Sequence, residues 1–358
     1  ASLSVSVGET RPSILGLDAM VSCVPELGVG GQPISLEEAR RLLDETDGLV
    51  LIKNRWVELD QEKLAQTLAA YDQVRDRLAE GLSLRDAMRL SLTPEGVLGD
   101  VAADAGVTFG DWLSGVARKL VDPSLVTEIE PHPGFKATLR PYQQVGLNWL
   151  AFLDSLGFGP CLADDMGLGK TIQVLAFLSI IREHAEQPSL LVVPASLMGN
   201  WQDEIDRFLP DLRVLIAHGS AIGAKAREGV PNCELRKHDL VITTYGMVHR
   251  NDWLRETRWH YAILDEAQAI KNPGTRQTRA VKQLKAHNRM ILTGTPVENR
   301  LQDLWSLFDF LNPGLLGSAS EFKRTAKTFR RENRGYARLR RVVSPYILRR
   351  LKTDSSII

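Results

Sequence analysis

Cysteine is scarce: Cys23, Cys161 and Cys233 are the only three in 358 residues. They are far apart and odd in number, which excludes a disulfide framework and a paired-cysteine zinc spacing. They read as small, buried, apolar residues. Long hydrophobic runs are also missing. None approaches the roughly 20 residues needed to cross a bilayer, and the N-terminus lacks the charged-then-apolar order of a secretory leader. No membrane contact is expected, and the cytoplasm is the expected compartment.

Net charge is absent as well, with 44 Lys and Arg against 44 Asp and Glu, but the balance hides a gradient. Residues 1–130 hold 12 basic and 22 acidic side chains, residues 131–320 hold 20 and 19, and residues 321–358 hold 12 and 3. Such asymmetry points to a polyanionic partner for the basic end or to attraction between the two ends. A composition of 44% hydrophobic and 25% charged residues is that of a globular protein, long enough for two or more domains.

Leu49 to Leu59 reads as a hairpin turning at Lys53-Asn54, and Leu64 to Leu78 has helical spacing. Pro94-Glu95-Gly96 and Pro131-His132-Pro133-Gly134 are breakers, the second the better domain boundary. No catalytic constellation stands out in residues 1–130, which read as an α+β scaffolding or interaction domain. From about Arg140, compact apolar runs alternate with helical stretches: Cys161 to Ala163, Leu190 to Val193, Val214 to Ala217, Leu240 to Thr243, Ala262 to Leu264 and Met290 to Leu292. This alternation predicts an α/β domain with a mostly parallel central sheet, whose ligands sit at the carboxyl ends of the strands.

The chemistry-bearing residues fall at those ends. Asp164-Asp165-Met166-Gly167-Leu168-Gly169-Lys170-Thr171 follows an apolar strand and opens a helix running to Ile181. Glycines let backbone amides face phosphate oxygens, and the helix N-terminus adds partial positive charge. Lys170 is placed to contact the β and γ phosphates and the Thr171 hydroxyl to ligate magnesium, although Asp164 stands where the strict loop formula wants glycine. Further on, Ala262-Ile263-Leu264 runs into Asp265-Glu266-Ala267-Gln268. Two adjacent carboxylates ending a buried strand call for a cation. Asp265 is assigned to hold magnesium through water and Glu266 to polarise the attacking water. Leu292-Thr293-Gly294-Thr295-Pro296 ends the next apolar run, a pattern that also makes an ordinary turn.

In order and spacing these pieces resemble the Swi/Snf-type ATPases of helicase superfamily two. Leu139-Arg140-Pro141-Tyr142-Gln143, with Gly146 and Trp149-Leu150, is similar to the family's adenine-recognition segment, which makes Arg140 and Gln143 nucleotide-binding candidates beside Met166, Gly167, Leu168, Gly169, Lys170 and Thr171. The family's phosphate loop also opens on an acid. Val193 to Leu197, followed by Asn200-Trp201 and Glu204, resembles its first DNA-contacting motif, and Thr243-Thr244-Tyr245 the second. Gln268 stands where histidine is usual, and either can hydrogen-bond toward Thr293. Asn299, Leu304 to Leu307 and Phe310-Leu311 resemble the start of a helical insertion, and Leu348 to Lys352 the segment that closes it.

The resemblance covers about residues 137–352 and implies a RecA-like P-loop domain over 137–297, a helical insertion and basic closing segment over 298–352, and a linker over 353–358 leading to a second RecA-like domain in cis. Residues 1–130 resemble an accessory region preceding some bacterial members. The implied activity is that of a DNA-dependent ATP hydrolase and translocase that remodels protein–DNA complexes, with ATP and Mg2+ as cofactors and double-stranded DNA and a protein on it as partners. Nucleoid association follows if the source is bacterial. Ser196, Thr243 and Thr244 are the expected DNA contacts, Thr293, Thr295 and Gln268 the expected coupling residues, and the aromatic-interleaved basic stretch Lys323 to Lys352 reads equally as a DNA surface or a solvated helix face. Because that second domain supplies arginines to the γ-phosphate, this chain alone is expected to bind ATP and turn it over poorly. Two other readings stay open: a nucleotide-gated DNA- or protein-binding module without motor activity, and an RNA-directed helicase.

Overall fold

Strict alternation of apolar and polar residues builds the first strand. In the computed structural model β1 (Ser2–Val7) buries Leu3, Val5 and Val7 on one face, as the two-residue period of a strand requires. The structure describes all residues except 14–15, 17, 46–47, 54, 80, 91–105, 220–228, 295–300, 332–334 and 355–358. Pro94 to Gly96, Thr295 and Asn299 therefore lie outside the described residues. The chain divides into two units, Ala1–Arg118 with Ala337–Val342, and Lys119–Tyr336 with Val343–Ile358. The division falls upstream of the Pro131–Gly134 breaker.

In the first unit, β1 lies between β3 (Cys23–Val29), antiparallel to it, and β8 (Gly106–Phe109), parallel to it, with β4 (Gln32–Ile34) at the edge. The short β2 (Met20–Val21) pairs with β7 (Leu82–Ser83). The expected hairpin forms as β5 (Gly48–Ile52) and β6 (Arg55–Leu59), with Lys53 turned into the left-handed region at φ 41°. Asp60 caps the helix Gln61–Leu78 by accepting from the Lys63 amide at 2.9 Å, and Leu64, Leu68, Val74 and Leu78 form its buried stripe. This is the smaller α+β region that the sequence predicts.

The second unit is organised by seven parallel strands in the order β11-β12-β10-β13-β14-β9-β15. They are β9 (Cys161–Leu162), β10 (Ser189–Val193), β11 (Val214–Ile216), β12 (Leu240–Thr244), β13 (Arg258–Leu264), β14 (Lys285–Leu292) and β15 (Ile347–Leu348). Six coincide with the apolar runs of the sequence. The all-parallel arrangement explains why those runs are continuous rather than alternating: β10 and β12 are buried at every position, as strands covered on both faces must be.

The start of β13 and β14 was not legible, because Arg258, His260, Lys285, His287 and Arg289 interrupt the apolar pattern there. Nor was β15, two residues inside the basic closing segment. Of the cysteines, Cys161 is buried as expected and its thiol is pushed up to about 12 by burial. Cys23 is only half-buried and Cys233 is exposed, so the buried reading holds for one of the three. No helix among the described residues is long and apolar enough to cross a membrane.

Candidate nucleotide site

Parallel pairing places every strand's carboxyl end on one edge, and register decides which of them meet. β14 lies between β9 and β13, with Leu292 opposite Leu162 and Ile291 opposite Leu264. The phosphate loop, the Thr293 segment and the acidic box therefore leave the sheet at one level, from three adjacent strands. Beyond the strands the pairing continues, with the Thr293 amide bonded to Leu162 O at 3.1 Å and the Asp265 amide to Val192 O at 2.9 Å.

The loop turns back on itself through Gly167 and Gly169, at φ 84° and 78°, and Gly169 is the N-cap of the helix Lys170–Ile181. At Gly169 the left-handed φ combines with a close approach: an added Cβ would lie 2.6 Å from Gln143 Nε2. The first-turn amides of that helix face the loop, as at other anion-binding helix starts. Lys170 Nζ folds onto the loop and donates to Asp164 O at 2.7 Å. Gln143 is buried and bridges two pieces of backbone, accepting from the Arg140 amide at 3.0 Å and donating to Leu168 O at 3.2 Å, while the Tyr142 hydroxyl donates to the same carbonyl at 3.0 Å. Met166 and Arg140 are exposed beside them. The expected adenine-recognition segment thus lies directly against the phosphate loop.

The acidic box is held tightly. Asp265 is buried, and its carboxylate takes Trp201 Nε1 at 2.8 Å on one oxygen and the Glu266 amide at 2.9 Å on the other. Burial raises the Asp265 pKa, against those two donors and the field of Lys170. The Tyr245 hydroxyl donates to Asp265 O at 2.6 Å. Glu266 sits in the left-handed region at φ 51° and ψ 54°, a strained conformation for a side-chain-bearing residue of the kind found at functional sites. Gln268 donates to the Glu266 carboxylate and accepts from the Thr293 hydroxyl at 3.2 Å. The link toward Thr293 that the acidic box predicts is therefore made by glutamine.

Asp164, the acid leading the loop, does not face the loop's interior. It is fully buried, accepting from the Arg350 backbone amide at 3.1 Å, from Arg350 Nε at 2.9 Å and from Arg350 Nη2. Gln173 joins them, donating to Asp164 at 3.1 Å and accepting from Arg350 at 2.7 Å. Arg350 also donates to Tyr142 O and lies over the Tyr142 ring. The neighbouring Lys352 amide bonds Asp165 at 3.1 Å. The Leu348 to Lys352 segment is thus built into the phosphate loop, and within the basic stretch Arg350 is a structural cation whose side chain is 12% exposed. Phe322 just before that stretch and Tyr346 within it are core residues too, Tyr346 against Phe158 at 4.9 Å.

Of the expected DNA contacts, Ser196 is exposed just past β10. Thr243 and Thr244 are buried: the first hydroxyl donates to Ala217 O at 2.8 Å and the second caps the helix Tyr245–Arg250. The Thr243 proton is thus committed to the fold, whereas Thr244 uses only a lone pair as the cap. Trp201 and Glu204, expected only as part of the first DNA-contacting motif, lie on a helix that also faces the acidic box. The Glu204 carboxyl is half-buried, and burial raises its pKa against the opposing effect of the neighbouring Thr171 hydroxyl. Their spacing with Ile205 and Phe208 on the helix Met198–Phe208 marks one inward face, but which ligand that face meets could not be read from it.

The donor set fits magnesium on a nucleotide. A hydroxyl, a buried carboxylate and a second carboxylate are hard oxygen donors, and such sites use few protein ligands because phosphate and water supply the rest. The absence of any cluster of three or more His, Cys, Asp or Glu among the described residues is compatible with that. A cleft of about 830 Å³ opens at the opposite edge of the sheet, lined by His184, Arg258, His260, Lys285 and His287 among others. No residue of the loop or acidic box borders it, so it is not the site described above.

A parallel sheet with a phosphate loop after one strand and paired acids after the next strand but one defines a P-loop nucleotide-binding fold of the RecA-like kind. The SNF2-related domain family matches residues 142–357, and the chain belongs to that family. Residues 1–92 match a second family, described as SNF2 Helicase protein. The Bacillus subtilis putative ATP-dependent helicase/translocase YwqA is 36% identical over 99% of this chain and 39% of its own length. The Saccharomyces cerevisiae TATA-binding protein-associated factor MOT1 is 38% identical over 66% of this chain and 14% of its own. The Sulfolobus solfataricus SWI2/SNF2 ATPase core, solved in complex with double-stranded DNA, superposes with a TM-score of 0.59 at 45% identity, over 64% of this chain and 48% of that one. The chain spans less than half the length of each.

Proposed function

We propose that this chain carries the ATP-binding half of a double-stranded-DNA-dependent ATPase that translocates on DNA and remodels protein–DNA complexes. The observation that carries the reading is the convergence of Lys170, Thr171, Asp265 and Glu266 at one sheet edge, with Glu266 joined through Gln268 to Thr293. Gly167 to Thr171 cradle the phosphates, and Lys170 exchanges its loop carbonyl for a phosphate oxygen. Thr171 and Asp265 hold magnesium, directly and through water, and the metal's role is to neutralise charge developing on the phosphoryl oxygens. Glu266 orients the attacking water, and Gln268 and Thr293 pass the occupancy of the site toward the strand ends from which Ser196 reaches DNA. The relatives support this reading by name, as an ATP-dependent helicase/translocase and as a DNA-bound ATPase core.

Turnover by this chain alone is low in this account, because the guanidinium beside the loop, that of Arg350, is spent on Asp164. ATP hydrolysis measured on this chain and on a longer one, with duplex DNA, single strands or RNA, tests the proposal. The expected result is stimulation by duplex DNA in the longer chain. Stimulation by RNA alone, or none by any nucleic acid, would reject it.

A further inference from the structure

The helix Met198–Phe208 follows β10, on the side of the sheet from which DNA contacts are expected, yet two of its side chains reach the other half of the site. Trp201 Nε1 donates to Asp265 Oδ2 at 2.8 Å, and Glu204, about one turn later, has the Thr171 hydroxyl as a neighbour that lowers its carboxyl pKa against burial. Their targets lie on different strands, after β13 and after β9, and are the two residues assigned to magnesium.

Resting on the magnesium–ATP reading of the site, we propose that Trp201 and Glu204 are positioning residues for the metal, aiming its two protein ligands from a single rigid helix. A hydroxyl has one proton and two lone pairs. A Thr171 proton directed at Glu204 leaves the oxygen's lone pairs turned away from the helix. Asp265 is fixed in the same manner: Trp201 on one oxygen and the Glu266 amide on the other set the plane of the carboxylate, leaving each oxygen a further lone pair for a metal-bound water. Trp201 is 2% exposed and packs in the core, so its N–H is held where it is. Such partners behind metal ligands typically matter by about 10–100-fold in metal affinity. The cationic loop and the amides that bind phosphate directly touch neither residue, so nucleotide binding without metal should be indifferent to both.

The test is equilibrium binding of a fluorescent ATP analogue, titrated with Mg2+ and, separately, in excess EDTA. Trp201→Phe and Glu204→Ala should each raise the Mg2+ concentration at half-saturation by about tenfold or more, leaving affinity in EDTA unchanged. Glu204→Gln, which keeps an acceptor for the hydroxyl, should stay close to the parent and serves if the Trp201 variant misfolds. The inference is overturned if the variants keep the parent's Mg2+ requirement, if affinity in EDTA falls in parallel, or if Glu204→Gln is as impaired as Glu204→Ala. A parent that binds the analogue equally with and without Mg2+ would instead reject the magnesium reading itself.

Discussion

Arg350 donates to both carboxylate oxygens of Asp164 across 186 residues of chain, joining the end of the helical insertion to the first residue of the phosphate loop. The Asp164 side chain is 0% exposed and that of Arg350 12%, so neither charge has water to fall back on. Removing one partner of such a pair leaves an uncompensated buried charge, at a cost of about 3–5 kcal/mol. Arg350→Met should lower stability by that amount in urea unfolding, and adding Asp164→Asn should restore part of it. Equal stability of Arg350→Met and the parent would show that the pair is not closed in solution.

The same network explains Gly146. A Cβ at this position would lie 2.0 Å from Gln173 Oε1 and 3.1 Å from Arg350 Nη2. Gln173 is fully buried and hydrogen-bonded on both sides, so it has nowhere to move. Gly146→Ala should therefore destabilise by about 1–3 kcal/mol as an overpacking substitution, despite alanine's better helix propensity. Thermal melting checks this, and an unchanged or raised Tm would contradict the packing described.

These contacts separate what was legible in the sequence from what was not. The strands and the loop between β9 and its helix could be read because each is local: an apolar run, two glycines, a lysine. The acidic box and its glutamine link to Thr293 were legible for the same reason, with family resemblance supplying the pairing. Arg350 was not, since a guanidinium in a basic run looks like any surface arginine until β15 pairs with β9 and carries it to Asp164. Thr243 shares that limit: a hydroxyl at a strand end reads as available, and only the packing against Ala217 shows its proton spent. Trp201 and Glu204 lay within a segment read as facing DNA, and nothing local in that segment shows that the helix turns Trp201 onto Asp265.

Burial raises the pKa of Asp265 and of Glu204. A carboxyl whose folded pKa exceeds its unfolded value contributes stability that is fully present below the unfolded pKa and lost as pH rises through the folded one. The nucleotide-free protein should thus lose stability from these two groups as pH rises out of the acid range. Magnesium binding, which favours the ionised Asp265, should strengthen over the same window. The Tm increase caused by Mg-ATP should accordingly grow as pH rises above the ordinary carboxylate range; an increase that shrinks as pH rises there would contradict the assignment of Asp265.

Glu266→Gln keeps the size of the side chain and its hydrogen bond to Gln268 but removes the charge that orients water. ATP binding should be retained, while hydrolysis in a longer chain with duplex DNA falls by about 100-fold or more, the usual worth of a positioned base. Hydrolysis at the parental rate would remove Glu266 from this role.

The central claim is that the loop from Asp164 to Thr171 binds ATP, and calorimetric titration of Mg-ATP into this chain and into its Lys170→Ala variant tests it most directly. Lys170 Nζ donates to the loop carbonyls of Asp164 and Asp165, so its loss should leave the fold intact. The account predicts saturable binding by the parent and a loss of at least about tenfold in the variant, the effect of removing one charge-assisted phosphate contact. Equal affinity in the two proteins would contradict it.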